Sequence, residues 1–98
     1  MSNRKTLSLA TLEKVAHRFL ILSEPVRLRL IQTLLSGEHC VNDLVDAIGC
    51  SQANVSHHLN ILSNEGILAR RKRGITVFYS IADPSVEDLC KIVCDKII

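Results

Sequence analysis

SQANVSHHLNILSNEGILARRKRG, residues 51–74, joins a capped helix, its stop signal and a basic hairpin arm. Ser51 suits an N-cap, because its hydroxyl can accept a bond from an otherwise unpaired N–H of the first turn. Val55, Leu59 and Leu62 recur at helical spacing, and Gly66 ends the helix. Cys50 and Val55 fall at the two staple positions around the cap. After Gly66 the period shortens to that of a strand. Ile67–Arg71, a Lys72-Arg73-Gly74 turn and Ile75–Ile81 predict a β-hairpin, with Ile75, Val77, Tyr79 and Ile81 alternating on one face.

Upstream, Cys40-Val41-Asn42-Asp43 predicts another helix start, with Cys40 as N-cap and Asp43 three residues on. Leu44, Val45 and Ile48 form its buried side and Gly49 ends it, so a three-residue turn containing glycine separates two helices. Residues 8–22 place Leu9, Leu12, Val15, Ala16, Phe19 and Leu20 at helical spacing. Ser23-Glu24-Pro25 interrupts the chain and restarts it, since proline fits a first helical turn where its missing N–H costs nothing. The second helix runs to about Ser36, with Val26, Leu30, Ile31 and Leu34 inward, and Gly37 stops it. Beyond the hairpin, Asp83-Pro84 opens a last helix over 85–98 with Val86, Leu89, Val93 and Ile97 along one stripe. The predicted fold is mainly α with a β-hairpin wing (α+β), in the order ααααββα. Residues 1–98 form one domain without repeats or linkers.

The 98 residues are 47% apolar, 22% charged and 3% aromatic, so the core is built from Leu, Ile and Val. That composition excludes a disordered chain, and so thin a domain completes its core by dimerising. No apolar run approaches the roughly 18 residues of a membrane span, and the N-terminus lacks a secretory signal, which predicts a cytoplasmic protein. The net charge of +2 is unevenly spread. Arg70, Arg71, Lys72 and Arg73 face the single acid Glu65 within residues 51–80, whereas residues 82–98 are net acidic. Such a basic cluster suits a surface that meets phosphate.

A helix-turn-helix needs a second helix whose N-terminal side chains enter the major groove. Ser51, Gln52, Asn54, Ser56 and His57 occupy those positions, with short, amide or imidazole side chains able to bond base edges or phosphates. The Arg70–Arg73 arm lies where a wing reaches flanking phosphates or the minor groove. His57 and His58 diverge by about 100° on the helix surface, which favours packing or phosphate contact over joint metal ligation. No nucleophile–base pair, phosphate loop or catalytic metal motif is present, so an enzyme is not expected.

Three stretches occur in the order of a known family: SEPVRLRLIQTLLSGEHCVNDL (23–44), residues 51–74, and VFYSI (77–81). Through them residues 16–81 resemble the ArsR/SmtB family of bacterial winged-helix repressors. The resemblance implies a homodimer built from the first and last helices. It implies repression from a palindromic double-stranded DNA operator and release by an effector. It places DNA contacts at Gln52, Asn54, Ser56 and His57 of the recognition helix and at Arg71 and Arg73 of the wing.

The four cysteines, at 40, 50, 90 and 94, are expected as reduced thiols rather than disulfides. Metal sensors of the family carry a motif of the form ELCVCDL. This chain has EHCVNDL, with Asn42 in place of the second cysteine, which argues against that soft-metal site. Zinc members use an Asp-x-His pair and a later histidine. Asp83 matches the acid, but Ser85 and Lys96 stand at the histidine positions. Cys90 and Cys94, four residues apart, lie on one side of the last helix. They can chelate a soft ion such as trivalent arsenic with a third donor from elsewhere, or react with an oxidant or reactive sulfur species. A disulfide between them within an intact helix is strained. Cys40 at a helix N-cap favours its thiolate and is the candidate third sulfur, with His39 beside it. Against these stands plain burial of small apolar thiols along a dimer face. The expected function is a DNA-binding repressor released by a thiol-reactive effector, with no obligatory cofactor and no membrane partner. The alternatives are a redox or reactive-sulfur sensor using the same cysteines, and a winged-helix protein-interaction module without an effector.

Overall fold

Side chains at helix starts set most of the element boundaries in the computed structural model, which describes residues 6–98. Helix α1 (Leu9–Leu22) begins where the Ser8 hydroxyl accepts from the Thr11 N–H. Helix α2 (Pro25–Leu34) begins where the Glu24 carboxylate accepts from the Val26 and Arg27 N–H groups. Ser51 caps α4 (Gln52–Asn64) through the Asn54 N–H, and Asp83 caps α5 (Pro84–Ile97) through the Ser85 N–H. Cys40 is the N-cap of α3 (Val41–Ile48), but its side chain makes no capping bond, so no capping box forms with Asp43. Gly49 closes α3 at φ +80, a left-handed conformation in which a Cβ is strained.

The sheet has three antiparallel strands in the order β1-β3-β2, one more than the expected hairpin. Strand β1 is only His39–Cys40, pairing with Tyr79 and Phe78 of β3 (Thr76–Ile81). Strand β2 (Leu68–Arg73) pairs with β3 from Leu68↔Ile81 to Arg73↔Thr76. Lys72 and Arg73 therefore belong to the strand, and the turn is Gly74-Ile75. Gly74 has φ +63 and Ile75 a negative φ, the pattern of a type II′ hairpin turn, which twists with its strands. Ile75, expected in the second strand on one face with Val77, Tyr79 and Ile81, is in the turn and 99% exposed. Tyr79 does point inward and is buried.

The core lies between α2, α3, α4 and the sheet, where Leu30, Ile31, Leu44, Val55, Leu59, Leu62 and Ile67 are wholly buried. Val86 is the one fully enclosed residue of the predicted α5 stripe; Val93 and Ile97 are exposed. Helix α1 contributes only Ile21 and Leu22, while Leu9, Leu12, Val15, Phe19 and Leu20 all face outward. Both terminal helices thus carry apolar faces that the single chain leaves uncovered.

Candidate nucleic-acid interface

Capping and core packing together aim the recognition helix. The Ser51 hydroxyl accepts from the Asn54 N–H at 3.1 Å and so starts α4, with its own O–H left to donate. Burial of Val55, His58, Leu59 and Leu62 turns the opposite side of α4 outward, leaving Gln52, Asn54 and His57 exposed and Ser56 half-buried. Gln52, Ser56 and Asn60, one helical turn apart, line a groove of about 420 Å³ whose other walls include Arg70, Thr76 and Asn42. Asn60 was not among the expected contacts, although the four-residue spacing of Gln52 and Ser56 points to it.

His58 holds this helix from beneath. Its Nδ1 lies 3.3 Å from an Arg27 guanidinium nitrogen, while another nitrogen of that guanidinium donates to the Ile21 carbonyl at 2.7 Å. Arginine can only donate, so Nδ1 accepts and the proton of the neutral ring sits on Nε2. That Nε2 is 3.7 Å from the Glu24 carboxylate. Burial pushes the His58 pKa down; Glu24 opposes this, while Arg27 and His57 add to it. Burial pushes Glu24 up, but N–H bonds from Arg27 and Val26 and the adjacent His58 and Arg27 hold it below the usual carboxylate range. The network joins the start of α2 to the middle of α4.

On the wing, Arg71 is already engaged. Its guanidinium meets the Glu38 carboxylate in a two-pronged bond, with contacts of 3.0 and 2.7 Å, and lies 5.0 Å from the centre of the Phe78 ring. The pair lowers the Glu38 pKa and raises that of Arg71. Among the described residues Arg70, Lys72 and Arg73 form no salt bridge. Glu38, 33 residues away, carries no local signal of this role.

The cysteines separate into two places. Cys40 lines the groove beside α4. Cys90 and Cys94 line an apolar groove of about 810 Å³ between α5, α2 and the end of α1. Among the described residues no three His, Cys, Asp or Glu side chains converge as a metal site, so Cys40 does not join Cys90 and Cys94 within one chain. Burial, and then the neighbouring Cys94, push the Cys90 thiol pKa up. Asp83 is occupied: it accepts from the Ser85 hydroxyl at 2.6 Å and from Arg18 at 2.9 Å, and both bonds hold its pKa low. Arg18 also donates to the Glu65 carbonyl at 3.1 Å, and His17 meets the Glu65 carboxylate at 3.0 Å. Consecutive residues of α1 thereby tie the end of the recognition helix to the start of α5.

The sequence pattern of the bacterial regulatory protein, arsR family, matches residues 24–70, the span from the α2 cap to the base of the wing. The chain is 38% identical to a transcriptional repressor SmtB homolog of Synechocystis sp. over 93 residues, 95% of this chain and 70% of that protein. Among solved structures it is similar to the AntR antimony-specific transcriptional repressor, with a TM-score of 0.88 and 32% identity, over 99% of this chain and 88% of that one. It is also similar to a homodimeric winged helix-turn-helix DNA-binding domain from Mycobacterium bovis, with a TM-score of 0.79 and 28% identity, over 95% and 86% of the two chains. The chain belongs to the ArsR family of bacterial regulatory proteins, and it is a winged helix-turn-helix, DNA-binding transcriptional repressor rather than an enzyme.

Proposed function

We propose that the protein binds a palindromic operator as a homodimer and that a soft, thiol-reactive effector captured by Cys90 and Cys94 releases it. The observation that carries this reading is one shared surface. The thiols of α5 open onto the side of the molecule where α1 and α5 expose Phe19, Leu20, Ile92, Val93 and Ile97. A second copy packed there covers apolar area that one chain leaves in water. Two-fold symmetry then sets two α4 helices about one DNA turn, roughly 34 Å, apart, with Gln52, Asn54, Ser56 and His57 toward base edges and Arg71 and Arg73 toward phosphates. Acting on DNA in a bacterial cell, the protein works in the cytoplasm.

An ion held by α5 has a path to α4, because Asp83 at the α5 cap, Arg18 and Glu65 at the α4 end are in direct contact. The similarity to an antimony-specific transcriptional repressor supports a soft metalloid as effector. The raised pKa of Cys90 disfavours the thiolate that an oxidant or persulfide needs. The test is a titration of the protein's own upstream DNA, followed by fluorescence anisotropy, with arsenite, cadmium or a persulfide donor added. Release by arsenite or cadmium that disappears in Cys90→Ser/Cys94→Ser is expected. Unchanged release in that variant moves the sensor elsewhere.

A further inference from the structure

We infer that Ile75, at the tip of the wing, enters the minor groove beside the α4 site and makes the repressor discriminate against guanine there. The inference rests on the proposed reading, in which the wing lies against the duplex, and assigns a specificity residue to a tip that the sequence predicts to be basic.

Exposure, turn chemistry and charge carry it. Ile75 is 99% exposed, the most exposed large apolar side chain among the described residues. The groove it borders is walled by the start of α3, by α4 and by the wing, so it lies off the α1–α5 face that a second copy covers. The second position of a Gly-X hairpin turn ordinarily takes Asn, Asp or Ser. A β-branched apolar residue so exposed gains nothing there from the chain's own folding. The setting is also wholly basic, since no Asp or Glu occurs between Gly66 and Ala82. Among the described residues Lys72 and Arg73, beside the tip, form no salt bridge, and the Glu38 carboxylate is held by Arg71. The surface that attracts this tip is therefore anionic, yet it must also receive an apolar side chain. The minor groove does both, with phosphates along its rims and deoxyribose carbons on its walls.

The reach fits. Arg70, paired with the inward Tyr79, lines the same groove as Gln52, Ser56 and Asn60 of α4. Four residues lead from Arg70 to Gly74, about 13 Å at the rise of an antiparallel strand. Adjacent major and minor grooves lie about 17 Å apart, half of a turn of roughly 34–36 Å, and the Ile75 side chain covers most of the remainder. Helix α4 then occupies the major groove, the phosphate strand passes between α4 and the wing, and the tip stands in the next minor groove. At the floor of that groove an A·T pair shows two recessed acceptors, whereas guanine adds its N2 amino group. Ile75 offers that amino group no acceptor, and its γ and δ carbons need the space the group fills. A pair without it is preferred beneath the tip.

The test uses the full chain on its own upstream duplex. Hydroxyl-radical footprints of wild type and Ile75→Ser first locate the minor-groove sugars that only the isoleucine protects. The variant changes an exposed turn position and should unfold at the same temperature as wild type. Four duplexes then differ only in the pair between those sugars: A·T, G·C, inosine·C and 2,6-diaminopurine·T. Inosine removes the amino group from G·C and diaminopurine adds it to A·T, while each keeps the major-groove pattern of its parent. Anisotropy should group A·T with inosine·C, and place G·C and diaminopurine·T at least about fivefold weaker, the low end of the cost of one mismatched pair. Ile75→Ser should erase most of that contrast. A wild-type footprint with no protected minor-groove sugars beside the α4 site takes the wing off the duplex, and the reading beneath the inference fails with it. Identical footprints of the two proteins, or equal affinity for the four duplexes, overturn the inference and leave that reading standing. Grouping by major-groove pattern overturns it too. A contrast that survives in Ile75→Ser assigns the discrimination to groove width and the neighbouring arginines, and overturns the part given to Ile75.

Discussion

A guanidinium that grips a carboxylate with two bonds cannot grip a phosphate in the same way at the same moment. On the proposed reading Arg71 exchanges Glu38 for DNA, so Glu38 competes with the operator. Glu38→Gln weakens the competitor, and operator affinity should rise by up to about fivefold per subunit, the ceiling for an exposed ion pair. The log–log salt slope should steepen by about 0.9 per subunit as one more phosphate contact in each is held throughout. Anisotropy titrations between low and moderate salt read both quantities, and an unchanged slope would remove Arg71 from the DNA contacts. His58 makes the second argument at this scale. Its pKa in the folded state lies below the ordinary histidine value of about 6.5, so the unfolded chain binds the proton more readily. Stability contributed by the neutral ring is complete above about pH 6.5 and is lost as pH falls through the lower folded value. Urea denaturation at pH 7.5 and 5.5 should show wild type losing more stability on acidification than His58→Leu. Equal losses would mean the ring is not held neutral. The variant should also be less stable at pH 7.5 by about 1–3 kcal/mol, because Arg27 loses an acceptor.

Elements whose causes are local were legible in the sequence. Ser51 and Gly49 bracket the turn before α4 because a cap and a left-handed stop each act within a few residues. Ser51→Ala should accordingly destabilise the fold by about 1 kcal/mol, measured by urea denaturation, and weaken operator binding as the start of α4 frays. A loss of affinity with no loss of stability would make Ser51 a direct DNA contact instead. The first strand of the wing runs two residues past expectation and the second starts one later, because glycine with positive φ serves the last position of a three-residue turn as well as the first of a two-residue one. Only the Arg73↔Thr76 pairing decides between them. Strand β1 has no pattern of its own: two residues cannot show alternation, and what holds them extended is β3, nearly 40 positions away. A separation of 33 residues likewise hides Glu38 from any local reading of Arg71. Of the candidate site, the row on α4 was visible as composition and spacing. The separation of Cys40 from Cys90 and Cys94 was not, because it depends on how α3 and α5 sit around the core.

The whole molecule is extended for its length. Its radius of gyration is 15.0 Å, where a 100-residue globule has about 13 Å, and its axes are 48 × 30 × 20 Å. The apolar side chains of α1 and α5 stand in water: Phe19 is 54% exposed, Ile92 67% and Ile97 79%. These residues repeat at helical spacing as core residues do, which is why the sequence marks them as apolar stripes without saying which chain covers them. A partner copy resolves that conflict between pattern and exposure. Ile92→Glu places a charge on the face while disturbing little of the chain's own core, so it should yield a folded monomer in sedimentation velocity, with unchanged helical circular dichroism. Its affinity for a full palindrome should fall by roughly a hundredfold or more, because the second half-site is no longer delivered at high effective concentration. Affinity for an isolated half-site should stay near that of one wild-type recognition helix. If Ile92→Glu remains a dimer, the two-fold axis runs elsewhere. The link from Cys90 and Cys94 to DNA would then have to pass within a single chain, through the Asp83–Arg18–Glu65 contacts alone.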